Sequence, residues 1–501
     1  MTYPYRDIRD YLDVLEKLGE LKRIDAPIKV GHDDTELDSL TRHLQNTNGP
    51  AVILTNPVGL NMANVPLIIN LYGSRRRAAL MLGEEDSRAA REKSIRAHQE
   101  PWPEPVIVDH TKVKVPCKEV VIKGEKIDLR RDFPKAWFCG ERQVYVTSGL
   151  SFTKDPVTGT SNMGWYRYGL LDIDPEGKPL PEEIQKRYLT SYVWWNPPIT
   201  DIGRHFAKAV NRGQPLQVAI ALTCDPALHV AGGTSLPTGQ FEAAFAGALR
   251  NGKPVEMVKC ETVDLEVPTG AEWVLEGEIL PGRDELDGPH GNYFGYYDPA
   301  FTLPLMKVNC ITRRKDAMIY FTYEMKPPFD HAYVADLHIT AELMSELRPR
   351  FPEVKDLAIH PLGWGNIYVV QLSVDGADKP AFEYGRFIIH AVWGSGGRWA
   401  RMAKFVIVVG PDVDPYDMDE VMWALSTRVQ PITDVIINNR GAALLDPSAP
   451  VGRQGNRPVS EQIGIDATIK VPERFTEYPA VADAPADRVS AVREKLKKYG
   501  L

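Results

Sequence analysis

The sequence predicts an α+β protein in three parts: an N-terminal α/β part, a strand-rich centre and a C-terminal α/β part. Three observations carry this. Before residue 115, apolar residues at helical spacing mix with short apolar runs. From residue 116, β-branched and aromatic runs bounded by turn residues dominate, as in a barrel or strongly curved sheet. From Tyr333, helical stretches and strands alternate again, which implies a layered α/β domain. At 501 residues the chain exceeds one typical core. The expected divisions are 1–115, 116–325, 326–478 and a linker with a closing helix at 479–501.

The elements follow in order. Ile8, Leu12, Leu15 and Leu18 share one helical face, and Gly19 is a natural stop. A second helical pattern runs from Glu36 to Gln45, and the runs Ala51–Leu54 and Pro66–Ile69 read as strands. Gly73-Ser74-Arg75-Arg76-Arg77 opens another helix. Its arginines suit either a phosphate at the helix start or, more commonly, salt bridges. Trp102-Pro103-Glu104-Pro105 breaks the pattern. Central strands are expected at Glu119–Ile122, Val144–Thr147, Gln217–Ala221, Val255–Val258, Trp273–Glu276, Leu305–Val308 and Met318–Phe321, with one helix at Gln240–Arg250. Beyond them, helices at 335–348, 382–394 and 417–427 precede strands at Ile367–Val370, Phe405–Val409 and Asp434–Ile437. A Pro/Ala/Asp-rich connector at Pro479–Asp487 leads to a final helix at 488–498.

Composition narrows the function. Hydrophobic residues make up 43% and charged residues 25%, as in an ordinary globular enzyme. A net charge of -8 argues against a nucleic-acid binder, which needs a basic face. A small anionic substrate is compatible with a locally basic pocket. The cysteines, Cys117, Cys139, Cys224, Cys260 and Cys310, form no CxxC pair and are odd in number. Buried free thiols in a reducing cytoplasm are therefore expected, not a disulfide framework. The start lacks the pattern of a signal peptide, and no apolar run approaches 18 residues, so neither export nor a membrane span is expected.

Candidate chemistry begins at Asn162-Met163-Gly164-Trp165-Tyr166-Arg167. On a strand, residues five apart point to opposite faces, so an amide and a guanidinium would flank something at the strand end. Arginine suits a carboxylate because it is always charged and presents parallel donors. Taken alone, an N-x4-R pair more often means a strand with a solvated arginine. Gly203-Arg204-His205 precedes a helical stretch, and Glu242 stands at the start of an apolar helix. Asn162, His205 and Glu242 together make a mixed O/N donor set, suited to a manganese- or magnesium-like ion bridging to a phosphate. The separate commoner readings are a structural histidine and a carboxylate pairing with a helix N-terminus. Asp287-Gly288-Pro289-His290-Gly291-Asn292 and the following residues to Tyr297 form the densest stretch, either a pocket-lining loop or a plain glycine-rich turn. Trp194-Trp195-Asn196-Pro197-Pro198 and Phe329-Asp330-His331 either shape a pocket or pack on their own domain.

These stretches, with Val258-Lys259-Cys260-Glu261-Thr262, Met325-Lys326-Pro327-Pro328, Lys404–Val409 and Trp423–Arg428, occur in the order and approximate spacing of the UbiD family. The chain resembles this family of prenylated-FMN-dependent (de)carboxylases, whose members act on acids such as ferulate and 3-polyprenyl-4-hydroxybenzoate, over residues 5–475. The resemblance implies a split β-barrel that binds the flavin and a C-terminal α/β domain that drives oligomerisation, as a homodimer or homohexamer. It implies that Asn162, His205 and Glu242 ligate manganese or magnesium at the cofactor phosphate, with potassium close by. It also implies that Trp165, Tyr166, Arg167, Arg204 and Arg398 contact the cofactor, and that a flavin prenyltransferase supplies it. The reaction implied is reversible decarboxylation of an aromatic, heteroaromatic or α,β-unsaturated acid, including a carboxylated aroyl-CoA thioester, through a covalent adduct with prenylated FMN. A flavin-dependent oxidoreductase and a non-catalytic subunit of a carboxylase complex are the alternatives.

The implied catalytic set is Arg167, Asp287, His290 and Asn292. Here the chain departs from the family, whose loop usually reads Glu-Gly-Pro-Phe-Gly-Glu or Asp. Asp287 keeps a carboxylate for Arg167, but Asn292 has no acidic proton to give. His290 or Asp287 is then expected to donate the proton, with Asn292 hydrogen-bonding the substrate, unless an electron-poor substrate needs no strong acid.

Overall fold

The computed structural model describes residues 3–499 apart from 33, 63, 197, 375–383, 443–445, 450–458 and 471–477. Two expectations therefore fall partly outside the described residues: the helix start at 382–383 and Pro197 of the tryptophan segment.

The chain opens with the Ile8–Lys17 helix, whose first N–H groups donate to the side chain of Asp7. It buries Ile8, Tyr11, Leu12, Val14 and Leu15 and stops before Gly19, whose φ of 75° suits glycine. It packs beside a sheet of Leu21–Ile24, Ala51–Leu54, Leu67–Ile69 and Ile319–Tyr320. The last strand was expected in the centre. It instead pairs parallel with Leu67–Ile69, a long-range contact that local pattern does not reveal. The triple arginine makes ion pairs: Arg76 and Arg77 each lie 3.0 Å from Glu20.

The centre is an antiparallel sheet. Its order is Tyr188–Ser191, Ser161–Leu170, Tyr145–Lys154, Leu216–Leu222, Trp273–Asp287, Phe301–Arg313 and Val120–Lys123. Tyr188–Ser191 also pairs with Phe301–Arg313, so the pairings run in a closed circuit, in keeping with the expected barrel. The strands alternate between two cores. Ile220, Val218 and Tyr168 face one, and Ala219, Ala221 and Met163 the other, with the N-terminal helix and the Pro226–Gly233 and Glu242–Leu249 helices. Glu256–Lys259 leaves the barrel for a small sheet with Val106–Val108 and Glu266–Pro268.

The Asp330–Leu347 helix is apolar around most of its circumference and correspondingly buried. Val334 and Leu337 join the core shared with the N-terminal part, while Ala335, Ile339 and Leu343 join that of the C-terminal sheet. That sheet runs Val354–Ile359, Ile367–Leu372, Phe405–Val409, Val459–Ala467 and Val435–Ala442. The helices Tyr384–Trp393 and Met418–Arg428 complete the expected alternation. No helix among the described residues is long and apolar enough to cross a membrane. Cys117, Cys224 and Cys310 are buried free thiols, but Cys139 is exposed, because it lies in the segment leading into the barrel and not on a strand.

Candidate active site

The site is built on the Ser161–Leu170 strand. Asn162 pairs across the ladder with Thr153, and Thr153 Oγ1 lies 2.9 Å from His205 Nδ1. Glu242 Oε2 accepts the N–H of Met163, next to Asn162, at 2.7 Å. The three residues singled out as donors thus lie on a strand and two helices linked through Thr153 and the backbone of Met163. Gly203-Arg204-His205 was expected ahead of a helix. It lies inside the Asp201–Asn211 helix, because Thr200 caps that helix earlier. All three donors are buried, and burial pushes the Glu242 carboxyl up to about 8 and lowers the His205 imidazole. With Nδ1 engaged by Thr153, Nε2 is the ring nitrogen left for a ligand, 4.0 Å from Asp155 Oδ2. Asp155 is itself held down to about 2; burial opposes this, but Lys208 and the N–H groups of Val157 and Thr158 outweigh it.

No cluster of three or more His, Cys, Asp and Glu side chains suited to an ion occurs among the described residues. The candidate set reaches three only by counting the amide oxygen of Asn162. The donors nevertheless fit a divalent cation beside an anion. A neutral imidazole, an amide oxygen and one buried carboxylate suit manganese or magnesium, and the buried Asn162 Nδ2 has no acceptor, as a phosphate oxygen would provide.

Five residues on, Arg167 sits where the ladder slips. Tyr166 pairs with Gly149 but Tyr168 with Val146, so two residues of the neighbouring strand oppose Arg167. Such bulges re-aim side chains. Arg167 Nη1 donates to Asp287 Oδ1 at 2.6 Å, and Thr190 Oγ1 donates to Asp287 Oδ2 at 2.5 Å. The guanidinium stacks over Tyr192, 4.2 Å from the ring centre, with Tyr145 at 5.0 Å. Among the described residues its buried Nη2 has no hydrogen-bond partner, and neither has the hydroxyl of Tyr293. Burial works against the charge of Arg167, but Asp287 and the tyrosine rings hold its pKa above the ordinary arginine value.

The glycine-rich loop forms a ribbon in which His290 opposes Asp298 and Gly291 opposes Tyr297. His290 Nδ1 lies 2.6 Å from Glu141 Oε1, and both side chains are buried. The expectation that Asn292 bonds a substrate meets a different geometry. Its Oδ1 accepts from Phe294 N at 2.9 Å and Tyr296 N at 3.4 Å, and its Nδ2 donates to Asp298 Oδ1 at 2.8 Å. The amide is occupied because the ribbon turns back on itself at this residue. Sequence reading missed Glu141, Thr190 and Tyr192, since each arrives from a distant stretch with no motif of its own, and Asp298, which stands one residue past the loop and meets His290 only when the ribbon folds back.

The other expected contacts are spread around the cleft. Trp165 Nε1 donates to Thr147 O at 2.7 Å, and its ring lies against His331, with centres 4.6 Å apart. Burial pushes the Tyr166 phenol up to about 12, opposed by the charge of Arg398, which also bears on Tyr293. Arg398 is stacked on Trp399 at 4.5 Å with a buried, unpartnered Nε. Arg204 turns to Asp201 at 2.5 Å and is half-exposed. Of the two aromatic segments, His331 sits at the site, its Nδ1 3.0 Å from Glu324. Trp195 packs on Phe206 and Phe329 is buried in the core.

Comparison with known families accounts for this arrangement. Three family models match in succession. They are the N-terminal domain of 3-octaprenyl-4-hydroxybenzoate carboxy-lyase at 12–94, its Rift-related domain at 109–327 and its C-terminal domain at 332–467. The chain belongs to the UbiD family. It is accordingly an enzyme of that family's prenylated-FMN-dependent decarboxylase class. Solved UbiD-class structures agree along their full length. HmfF from Pelotomaculum thermopropionicum, in complex with FMN, matches at 27% identity and TM-score 0.80, covering 97% of this chain and 99% of its own. Vanillic acid decarboxylase from Sedimentibacter hydroxybenzoicus matches at 27% identity and TM-score 0.81, covering 99% of each chain. At 23% identity and TM-score 0.76, 3,4-dihydroxybenzoic acid decarboxylase from Klebsiella pneumoniae shows the same fold, covering 97% of this chain and 99% of its own.

Proposed function

We propose that this UbiD-family enzyme removes CO2, without net oxidation, from an aromatic, heteroaromatic or α,β-unsaturated carboxylic acid. The observation that carries the reading is Arg167. One Nη is committed to Asp287, and the other is buried without a partner among the described residues. A buried N–H of a charged guanidinium left without a partner calls for an acceptor, and a substrate carboxylate would supply one. The solved relatives point the same way, since one is described as a vanillic acid decarboxylase.

Asn162, His205 and Glu242 would hold a divalent metal, manganese or magnesium, at the phosphate of prenylated FMN, with potassium nearby. Trp165, Tyr166, Arg204 and Arg398 would line the cofactor. The bound cofactor supplies the electron sink that loss of CO2 from an sp2 carbon needs. The chain's own residues do the rest. Arg167 orients the carboxylate, and Asp287, braced by Thr190, fixes the guanidinium plane. The rings of Tyr192 and Tyr145 keep water from the pair. A proton then reaches the carbon that CO2 has left. A flavin prenyltransferase would supply the cofactor, and the molecule would work as a homodimer or homohexamer.

Arg167→Lys tests the reading. Lysine keeps the charge but loses the planar fork. Bound cofactor should persist while decarboxylation falls by at least about a hundredfold, the scale of a lost orienting clamp. Near-normal turnover would remove Arg167 from the role.

A further inference from the structure

Four carboxyl groups stand on the site loop or beside it, and their partners sort them. Asp287 accepts from Arg167 on one oxygen and from Thr190 on the other, so both of its oxygens are engaged. Glu141 is taken up by His290 and by the N–H of Gly291. Glu324 holds His331. Asp298 differs. It lies across the ribbon from His290, is 8% exposed, and among the described residues is held by a neutral amide alone, from Asn292 Nδ2 to Oδ1 at 2.8 Å, with no arginine or histidine paired to it.

The Asn292 amide fixes where a proton on Asp298 would sit. Its Oδ1 accepts two backbone N–H groups, so its amide orientation is set, and the NH2 end must face Asp298. Asp298 Oδ1 is therefore an acceptor, and the acidic proton belongs on Oδ2, which has no partner among the described residues. Burial raises the Asp298 carboxyl above its ordinary value. The Asn292 bond and the charges of Arg167 and His290 oppose the rise, and Glu324 adds to it.

We propose that Asp298 is the acid that protonates the substrate carbon, with Asn292 as the positioning residue that presents Oδ2. The inference rests on the decarboxylase reading above and deepens it. In the step, the C–COO⁻ bond breaks, CO2 leaves, and a new C–H bond forms with the proton from Asp298 Oδ2. The resulting carboxylate regains its proton from water. No oxidant or reductant enters. The same acid, run backwards, exchanges the product's hydrogen with solvent.

The test joins a readout on the protein alone with one on the holoenzyme. In the purified chain, infrared titration should show the C=O band of a protonated carboxyl that is absent from Asp298→Asn. In the holoenzyme, deuterium exchange at the product carbon should fall as pH rises through the midpoint of that band. Asp298→Asn should keep bound cofactor and lose exchange by at least about a hundredfold, the lower end of the usual acid–base contribution. Asn292→Asp in the Asp298→Asn background returns an acid to the ribbon and should recover part of the exchange. Unchanged exchange in Asp298→Asn overturns the assignment. If that variant fails to fold, Asp298→Glu keeps an acid and should move the band and the midpoint of the exchange profile together; a band that moves while the profile does not overturns the assignment equally. Should wild-type holoenzyme neither exchange nor release CO2 with any acid tried, the decarboxylase reading falls and takes this proposal with it. Exchange that survives in Asp298→Asn leaves that reading standing and removes the acid alone.

Discussion

Glu242 places a carboxylate in a setting that burial makes unfavourable to charge, and only the N–H of Met163 and its own backbone ease it. A cation supported by His205 Nε2 and the Asn162 amide oxygen would resolve that conflict, whereas each donor alone is weak. His205→Ala and Glu242→Ala should therefore lose metal and cofactor together, read by metal analysis and flavin absorbance of the purified protein. Full occupancy of both in either variant would show the donor assignment to be wrong. Asn162, Arg167 and Asp287 could be picked out because they stand in short runs that follow the family's order, although each alone also reads as a plain strand or turn. Thr190, Glu141 and Asp298 were not legible, because a threonine that braces a carboxylate looks like any strand threonine until the sheet closes. Asn292 misled for a related reason. An amide in a polar loop fits substrate binding as readily as it fits holding Phe294, Tyr296 and Asp298.

At the element scale, the site depends on how closely three strands approach. Gly169 follows Arg167 on its strand, and a Cβ there would stand 2.5 Å from Thr190 Oγ1 and 2.9 Å from Asp287 Oδ2. Gly169→Ala should wedge that pair apart and release Arg167 from its brace, at a stability cost of about 1–3 kcal/mol for overpacking. Thermal unfolding should show a folded protein, and single-turnover CO2 release should fall far more than cofactor content does. Equal losses in both would make the glycine merely structural. The Val258–Thr262 motif illustrates the opposite case. It carried the family resemblance without an assigned role, and the N–H groups of Glu261 and Thr262 and the Thr262 hydroxyl grip the fully buried carboxylate of Glu276, with Lys118 at 3.3 Å. That network anchors the long Trp273–Asp287 strand, whose far end carries Asp287. Helices and strands of strong period were read correctly from sequence, as with Ile8–Lys17 and Phe405–Val409. Short strands such as Ile319–Tyr320 were recognised but assigned to the wrong sheet, since pairing partners lie far along the chain.

For the whole molecule, the Asp330–Leu347 helix ties the parts together. Arg91, from the N-terminal part, is buried against Asp336 at 3.0 Å and stacks on Tyr416 of the C-terminal part at 4.1 Å, with Arg75 on the same ring at 4.6 Å. The three-part plan was visible in sequence texture, because each part keeps one rhythm of strands and helices. A barrel or strongly curved sheet was expected in the centre, but the pairing of Tyr188–Ser191 with Phe301–Arg313 that closes it, and the core shared between the parts, were not visible, because they join stretches far apart along the chain. Under the function proposed above, prenylated FMN and a divalent metal would be held at Asn162, His205 and Glu242, with Arg167 presenting a carboxylate for loss of CO2. The most direct test is native mass spectrometry of the chain co-expressed with a flavin prenyltransferase, joined to release of labelled CO2 from carboxyl-labelled aromatic acids. The account predicts a mass for prenylated FMN plus metal on the chain, and label release that disappears in Arg167→Lys while the mass stays. A chain that binds unmodified flavin without metal, and oxidises a nicotinamide while releasing no label, would contradict it.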